Sequence, residues 1–301
     1  MKPMGENLKG AMLMAAAMTC FTANDSAIKL LAGEVPLMQV VFLRGCLTSI
    51  LIAALASRMG AFRVRIAPRD WRIILFRSVA EGLAAWVFLN ALYQMPIADL
   101  TAILQALPLA VTLGAAVFFG EPVGWRRWAA IGVGFLGVLL IVKPGTSMFT
   151  PYALLGVATV VFAAARDLST RRLSKEVPGL FVTFVSAVVV GAMGGVFSLA
   201  DDWVRPTPGQ WFNIAFAAVM ILIAYWGIIQ AMRTGDVAVV APMRYTGLLA
   251  AMIAGIAVFG EWPDALMLTG ALIVVASGLF SFWRERRLGI LKARSPGRGA
   301  P

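Results

Sequence analysis

Asp25-Ser26-Ala27-Ile28-Lys29-Leu30-Leu31-Ala32-Gly33-Glu34-Val35-Pro36 returns half a chain later as Asp167-Leu168-Ser169-Thr170-Arg171-Arg172-Leu173-Ser174-Lys175-Glu176-Val177-Pro178. At one constant offset Asp25 falls on Asp167, Lys29 on Arg171, and Glu34-Val35-Pro36 on Glu176-Val177-Pro178. A slightly shorter offset brings Ala91 onto Ala231, Ala98 onto Ala238, and Phe119-Gly120-Glu121 onto Phe259-Gly260-Glu261. A run of matches at a fixed spacing is the signature of internal duplication. The chain thus reads as one unit over 1–145, a second over 146–285, and a basic tail over 286–301.

The medium in which those units fold follows from composition. Sixty per cent of the 301 residues are hydrophobic and 14% are charged, too little polar surface for a water-soluble globule. Apolar stretches of roughly 20 residues recur, each long enough to cross the hydrocarbon of a bilayer as a helix. A β-barrel would alternate in segments of about half that length. The expected spans are 8–29, 36–57, 72–93, 97–119, 125–142, 151–170, 179–200, 211–232, 237–259 and 264–283. No small-residue cleavage site follows the first, so it reads as a permanent helix. The fold class is therefore an all-α membrane protein of ten transmembrane helices. Because each unit holds five, the second enters the membrane in the opposite sense, giving the 5 + 5 inverted repeat of carriers that rock around a central site.

Cations set the orientation. Lys2, Lys9, Arg58, Arg63, Arg65, Arg69, Arg72, Arg126, Arg127, Arg171, Arg172, Lys175, Arg233 and the tail fall on one side, against Lys29, Lys143 and Arg205 on the other. Both termini are expected in the cytoplasm, in a bacterial inner membrane. The same asymmetry explains most of the net charge of +11, so no nucleic-acid partner is needed. The tail is expected to meet anionic lipid headgroups. Cys20 and Cys46 both fall within spans, which argues against a disulfide framework or a cysteine metal site.

Several chemistries are disfavoured. The chain has no histidine, which removes His-based acid–base catalysis, the Ser-His-Asp arrangement and His metal sites. Gly132-Val133-Gly134-Phe135-Leu136-Gly137 fits a dinucleotide fingerprint but lies inside an apolar span with no preceding strand, and reads as a close-packing device. No phosphate-binding loop of the G-x-x-x-x-G-K-[ST] type is present. No enzyme activity and no cofactor are expected. A channel would place a ring of identical residues on one axis, whereas the polar groups here are scattered over both halves.

Thr22-Ala23-Asn24-Asp25, Phe42-Leu43-Arg44-Gly45, the two Phe-Gly-Glu turns and Ala241-Pro242-Met243-Arg244-Tyr245 together resemble the EamA branch of the drug/metabolite transporter superfamily, over nearly the full length. The set Asn24-Asp25, Arg44 and Arg244-Tyr245 is most similar to the branch holding riboflavin and S-adenosylmethionine transporters. The resemblance implies a cavity among spans 1–4 and 6–9, with spans 5 and 10 packed behind. It also implies a small-molecule substrate, with riboflavin placed before S-adenosylmethionine, an amino acid or another metabolite. The partners expected are that substrate, membrane lipid and a second copy in a homodimer.

Charges inside spans identify the candidate site, since each would cost about 2.5–3.5 kcal/mol facing lipid. At about 1.5 Å per residue, Arg44, Glu81, Gln105 and Arg244 lie roughly 10–14 Å inside the bilayer, near the midplane. Trp86, Tyr225, Trp226 and Tyr245 are aromatic rings deeper than the interfacial belt and suit a flat ligand. These eight are the expected substrate contacts. Asp25 and Asp167, near opposite ends of their spans, are expected to act as gate or anchor residues. Arg77 and Glu81, at i and i+4, are expected to neutralise each other, and Arg166 to face away from Asp167. With Arg77 so close to Glu81, uniport or exchange is expected over proton symport.

Overall fold

The computed structural model describes residues 4–294, apart from the side chains of 237, 238 and 285–294. Lys2, Arg298 and the side chains of the basic tail over 286–301 lie outside the described residues. Every regular element among the described residues is helical. The elements are α1 (Met4–Lys29), α2 (Leu37–Arg58), α3 (Pro68–Gln94), α4 (Ile97–Leu104), α5 (Leu107–Phe119) and α6 (Trp125–Val142) in the first half. The second half holds α7 (Tyr152–Thr170), α8 (Gly179–Phe197), α9 (Pro208–Thr234), α10 (Val237–Val240), α11 (Thr246–Ala254) and α12 (Ala265–Arg294). Nine helices among the described residues are long and apolar enough to cross a membrane. Outside that set stands α1, 26 residues long, whose Thr22, Asn24 and Asp25 lower its mean hydropathy.

The structure differs from the expected spans where proline acts. The fourth span, expected to be continuous over 97–119, breaks between α4 and α5 because Pro108 has no N–H to give the carbonyl of Leu104. The ninth breaks likewise around Pro242, running through α10, a 3₁₀ turn Ala241–Tyr245, α11 and a π turn Gly255–Phe259. Helices α3 and α9 begin about a turn earlier than their apolar runs, at Pro68 and Pro208, where proline fits the first turn of a helix.

Packing follows the duplication. The most extensive interfaces pair α1 with α9, α3 with α7, α2 with α8, and α6 with α12. Exchanging the halves turns the first pairing into the second and leaves the last two unchanged, as an inverted repeat requires. Local ties repeat as well. Asp70 at the start of α3 accepts hydrogen bonds from the backbone N–H (3.2 Å) and hydroxyl (3.1 Å) of Ser174 in the α7–α8 loop. Gln210, its counterpart at the start of α9, donates to Glu34 in the α1–α2 loop at 2.8 Å. Both Phe-Gly-Glu turns close on a left-handed glycine, φ 65° at Gly120 and 67° at Gly260, a conformation that glycine adopts without steric cost.

Each turn places its glutamate in an ion pair. On the face opposite residue 4, the far face, Lys29 meets Glu261 at 2.5 Å, with side chains only 10% and 21% exposed. Lys29 also donates to the Met95 carbonyl at 2.7 Å, and Glu261 accepts from the Ile97 N–H at 3.0 Å. Lys143 pairs with Asp264 beside them. On the near face Arg171 stands 3.5 Å from Glu121, with side chains 48% and 50% exposed, and Arg172 lies over the Phe119 ring at 4.3 Å.

Two glycines of the 132–137 run, Gly134 and Gly137, act in packing, and Gly132 does not. A Cβ on Gly137 would come within 2.9 Å of the Gly270 carbonyl, and one on Gly270 within 2.6 Å of the Gly137 carbonyl, so α6 and α12 touch backbone to backbone. Gly270→Leu should therefore destabilise the detergent-solubilised protein by about 1–3 kcal/mol through overpacking. Gly132→Ala, where no atom lies within 4 Å, should leave the unfolding temperature unchanged or raised. Equal losses at both positions in a thermal melt would refute this packing.

Asp264 offers a pH test. Partial burial opposes ionisation of its carboxyl, but the Lys143 ammonium and the Met267 N–H outweigh it and hold the group below the usual carboxylate range. A lowered folded value means that its contribution is complete above about pH 4 and is lost as pH falls through the folded value. The melting-temperature gap between wild type and Asp264→Asn should stay constant from pH 7 to 5 and shrink only below about pH 4. A gap already closing above pH 5 would contradict the assignment.

Candidate functional site

Glu81 stands at the middle of α3, on the face that meets α7 and α9. Both of its oxygens accept from Arg166 Nη1, at 3.2 and 3.1 Å, and Tyr225 Oη donates to one of them at 3.3 Å. Arg166 Nε also donates to Asp167 at 2.8 Å. The expected divergence of Arg166 and Asp167 is thus overridden, because the long arginine stem folds back across the roughly 100° between adjacent residues. The expected Arg77–Glu81 pair is present but loose at 3.9 Å. Arg77 spends its stronger bonds on Thr170 (2.9 Å) and Ser186 (2.5 Å), and Ser186 is 3.0 Å from Ser78. Four helices, α3, α7, α8 and α9, converge on this one network.

A second polar group sits beside it on α1 and α2. Arg44 is buried, at 7% exposure, and donates to Asn24 Oδ1 at 3.1 Å; Asn24 in turn donates to Asp25 at 2.8 Å. No carboxylate among the described residues comes within ion-pair distance of Arg44, although Asp25 and Glu81 act on it from farther off. The hydroxyls of Tyr93 and of Thr48, one turn along α2, are buried with no hydrogen-bond partner. Tyr225 joins the two groups, feeling Glu81, Arg166, Arg77 and Arg44, and it packs edge-on to Phe21 at 5.4 Å.

Arg244 projects from the 3₁₀ turn that interrupts the ninth span. It is exposed, and Asp167 and Arg166 are charges that act on it. Four guanidiniums, Arg44, Arg77, Arg166 and Arg244, thus face three carboxylates, Asp25, Glu81 and Asp167.

Of the residues singled out in the sequence, Arg44, Glu81, Tyr225 and Arg244 come together with Asp25 and Asp167. Others do not. Trp86 stacks on Phe197 of α8 at 6.1 Å, in a crevice with Met193 and Val190. Trp226 follows Tyr225 on α9 and is 40% exposed. Tyr245 presses its hydroxyl into the space left by Gly278 of α12. Gln105 is half-buried at the break between α4 and α5. The sequence reading gave no place in the site to Arg166, Asn24 or Tyr93. The first two could have been found together, because Asn24-Asp25 and Arg166-Asp167 occupy matched positions in the repeat.

A cavity of about 610 Å³ opens elsewhere, between α1, α9 and α11. Its walls include Thr22, Ser26, Phe216, Leu249 and Ile253, and neither Asp25 nor Tyr225. Leu249 and Ile253 are well exposed, so this groove opens at the molecular surface.

Comparison with known proteins agrees with this architecture. The EamA-like transporter family matches residues 8–143 and again 150–283. An S-adenosylmethionine uptake transporter of Rickettsia bellii is 26% identical, over 88% of this chain and 90% of its own. A riboflavin transporter of Vibrio cholerae is 27% identical, over 93% and 95%. The pseudopaline exporter CntI of Pseudomonas aeruginosa is 27% identical, over 89% and 94%. One solved crystal structure superposes with a TM-score of 0.59 at 17% identity, covering 93% of this chain and 98% of that one, and so shares the fold. The double match over both halves, the helices that can cross a bilayer and the charged groups between them make this chain a multi-pass membrane protein that belongs to the EamA-like transporter family.

Proposed function

We propose that this protein is a secondary carrier of a planar organic metabolite with polar or carboxylate edges, and that Arg44 and Arg244 grip it. The observation that carries this reading is a pair of guanidiniums, buried at Arg44 and exposed at Arg244, with no carboxylate within ion-pair distance among the described residues. Each arginine has five N–H donors, and Arg44 makes one side-chain hydrogen bond, so the remainder are available to carbonyl or carboxylate oxygens of a ligand. Tyr225 supplies a flat face beside them, and the Tyr93 hydroxyl a further polar contact.

Riboflavin is the first candidate. Its ring carbonyls accept from guanidinium, and its neutral ring meets no repulsion there, whereas the sulfonium of S-adenosylmethionine would sit among excess positive charge. The relatives named for each compound keep both under test. Uptake of labelled riboflavin and labelled S-adenosylmethionine into proteoliposomes should show transport of the first. Arg44→Ala and Arg244→Ala should each lower the transport efficiency roughly 10- to 100-fold at unchanged protein in the membrane, the loss of a charged hydrogen bond. Background uptake of both compounds by wild type would reject this substrate assignment.

The cations of the near face, from Arg58 to Arg72, Arg126, Arg127, Arg171, Arg172 and Lys175, support a cytoplasmic location for that face and for both termini in a bacterial inner membrane. The repeat units over 1–145 and 146–285 then cross in opposite senses. Reporter fusions after Ser147 and after Lys175 should give opposite sidedness, the first periplasmic and the second cytoplasmic; equal signals would overturn the orientation.

A further inference from the structure

We propose that Lys29–Glu261 and Arg171–Glu121 are matched latches, one at each face, that close in alternation as the halves rock, and that this structure stands with the far latch shut and the near latch slack. The inference goes beyond the substrate reading and rests on the inverted repeat alone.

Lys29 and Arg171 occupy matched places in the repeat, and so do Glu121 and Glu261, so each pair is the image of the other under exchange of the halves. Both pairs join the two halves. Lys29 ends α1 and Glu261 follows the ninth span; Arg171 follows α7 and Glu121 follows the fourth. The same seam between halves is therefore pinned once at each face.

In a symmetric state the two latches would be alike, and here they are not. The far one is at 2.5 Å and largely buried, and it also fastens the α3–α4 corner through the Met95 carbonyl and the Ile97 N–H. The near one is at 3.5 Å with both side chains about half exposed. Water and salt screen an ion pair held that loosely far more than a buried one. In an inverted repeat that alternates about a central site the two faces exchange states, so tightening at one face accompanies loosening at the other. The far face also carries Lys143–Asp264, whereas Val123 and Gly124 occupy the matched stretch of the near face and offer no acid. That second pair weights the resting protein toward a closed far face.

The inference can be tested without any substrate. In full-length protein carrying Cys20→Ser and Cys46→Ser, spin labels at Leu30→Cys and Trp262→Cys report the far face, and labels at Val123→Cys and Lys175→Cys the near face. In lipid nanodiscs, Glu261→Gln should shift the far distance longer and the near distance shorter. Glu121→Gln should leave the far distance at its short value. The exchanged pair Lys29→Glu with Glu261→Lys should restore the wild-type distances, which a merely destabilised protein would not do. Should Glu261→Gln fail to accumulate, Lys29→Gln and the exchanged pair give the same reading. Far and near distances that stay fixed, or lengthen together, would overturn the proposal. Because the readout is a distance, its failure is distinct from failure of the riboflavin assignment.

Discussion

A carboxylate at the centre of a 27-residue membrane helix has no water to solvate it, and the arrangement around Glu81 answers that constraint. Arg166 reaches it from α7 and Tyr225 from α9, while Arg77 on its own helix turns mainly to α7 and α8. The charges cannot separate without exposing ions to hydrocarbon. They therefore fix the rotation of α3, α7 and α9 about their own axes, which apolar packing between lipid-like side chains specifies weakly. Arg44 then occupies the neighbouring space with Asn24 as its partner.

The site is asymmetric on a symmetric scaffold. The position matched to Glu81 is Ile221, and the one matched to Tyr225 is Ala85, so the second half cannot rebuild the charged network of the first. Backbone features such as the glycine turns, the tied helix starts and the face-to-face pairings of α2 with α8 and α6 with α12 recur in both halves. Symmetry thus belongs to the backbone scaffold, and asymmetry to the charged network it carries.

The spans were legible because length and hydropathy report directly on a hydrocarbon layer of fixed thickness, and the inverted repeat because Asp25/Asp167 and the Phe-Gly-Glu turns preserve side chains at constant spacing. The break at Gln105–Ala106 was not, since Pro108 sits in an apolar run whose composition does not register a missing N–H. Depth was legible and direction around the helix was not. Trp86, Trp226 and Tyr245 have the right depth, but Trp86 and Tyr245 pack against Phe197 and Gly278, and Trp226 stays exposed one residue from Tyr225. In a soluble helix the polar stripe reveals direction, but here apolar residues cover every face. The reach of Arg166 to Glu81 was not legible because its backbone position and its guanidinium lie far apart, and only the guanidinium meets Glu81.

The interleaving of the halves also governs how the protein is made. The principal partner of α1 is α9, and that of α6 is α12, so neither helix has its main interface when it leaves the ribosome. Asn24, Asp25 and Arg44 enter the bilayer early and must keep one another company until α7 and α9 follow. The Asn24 bridge joins Asp25 to Arg44 within the first half, so these polar contacts need no partner from the second. Synthesis order gives that small amide a reason to stand where it does.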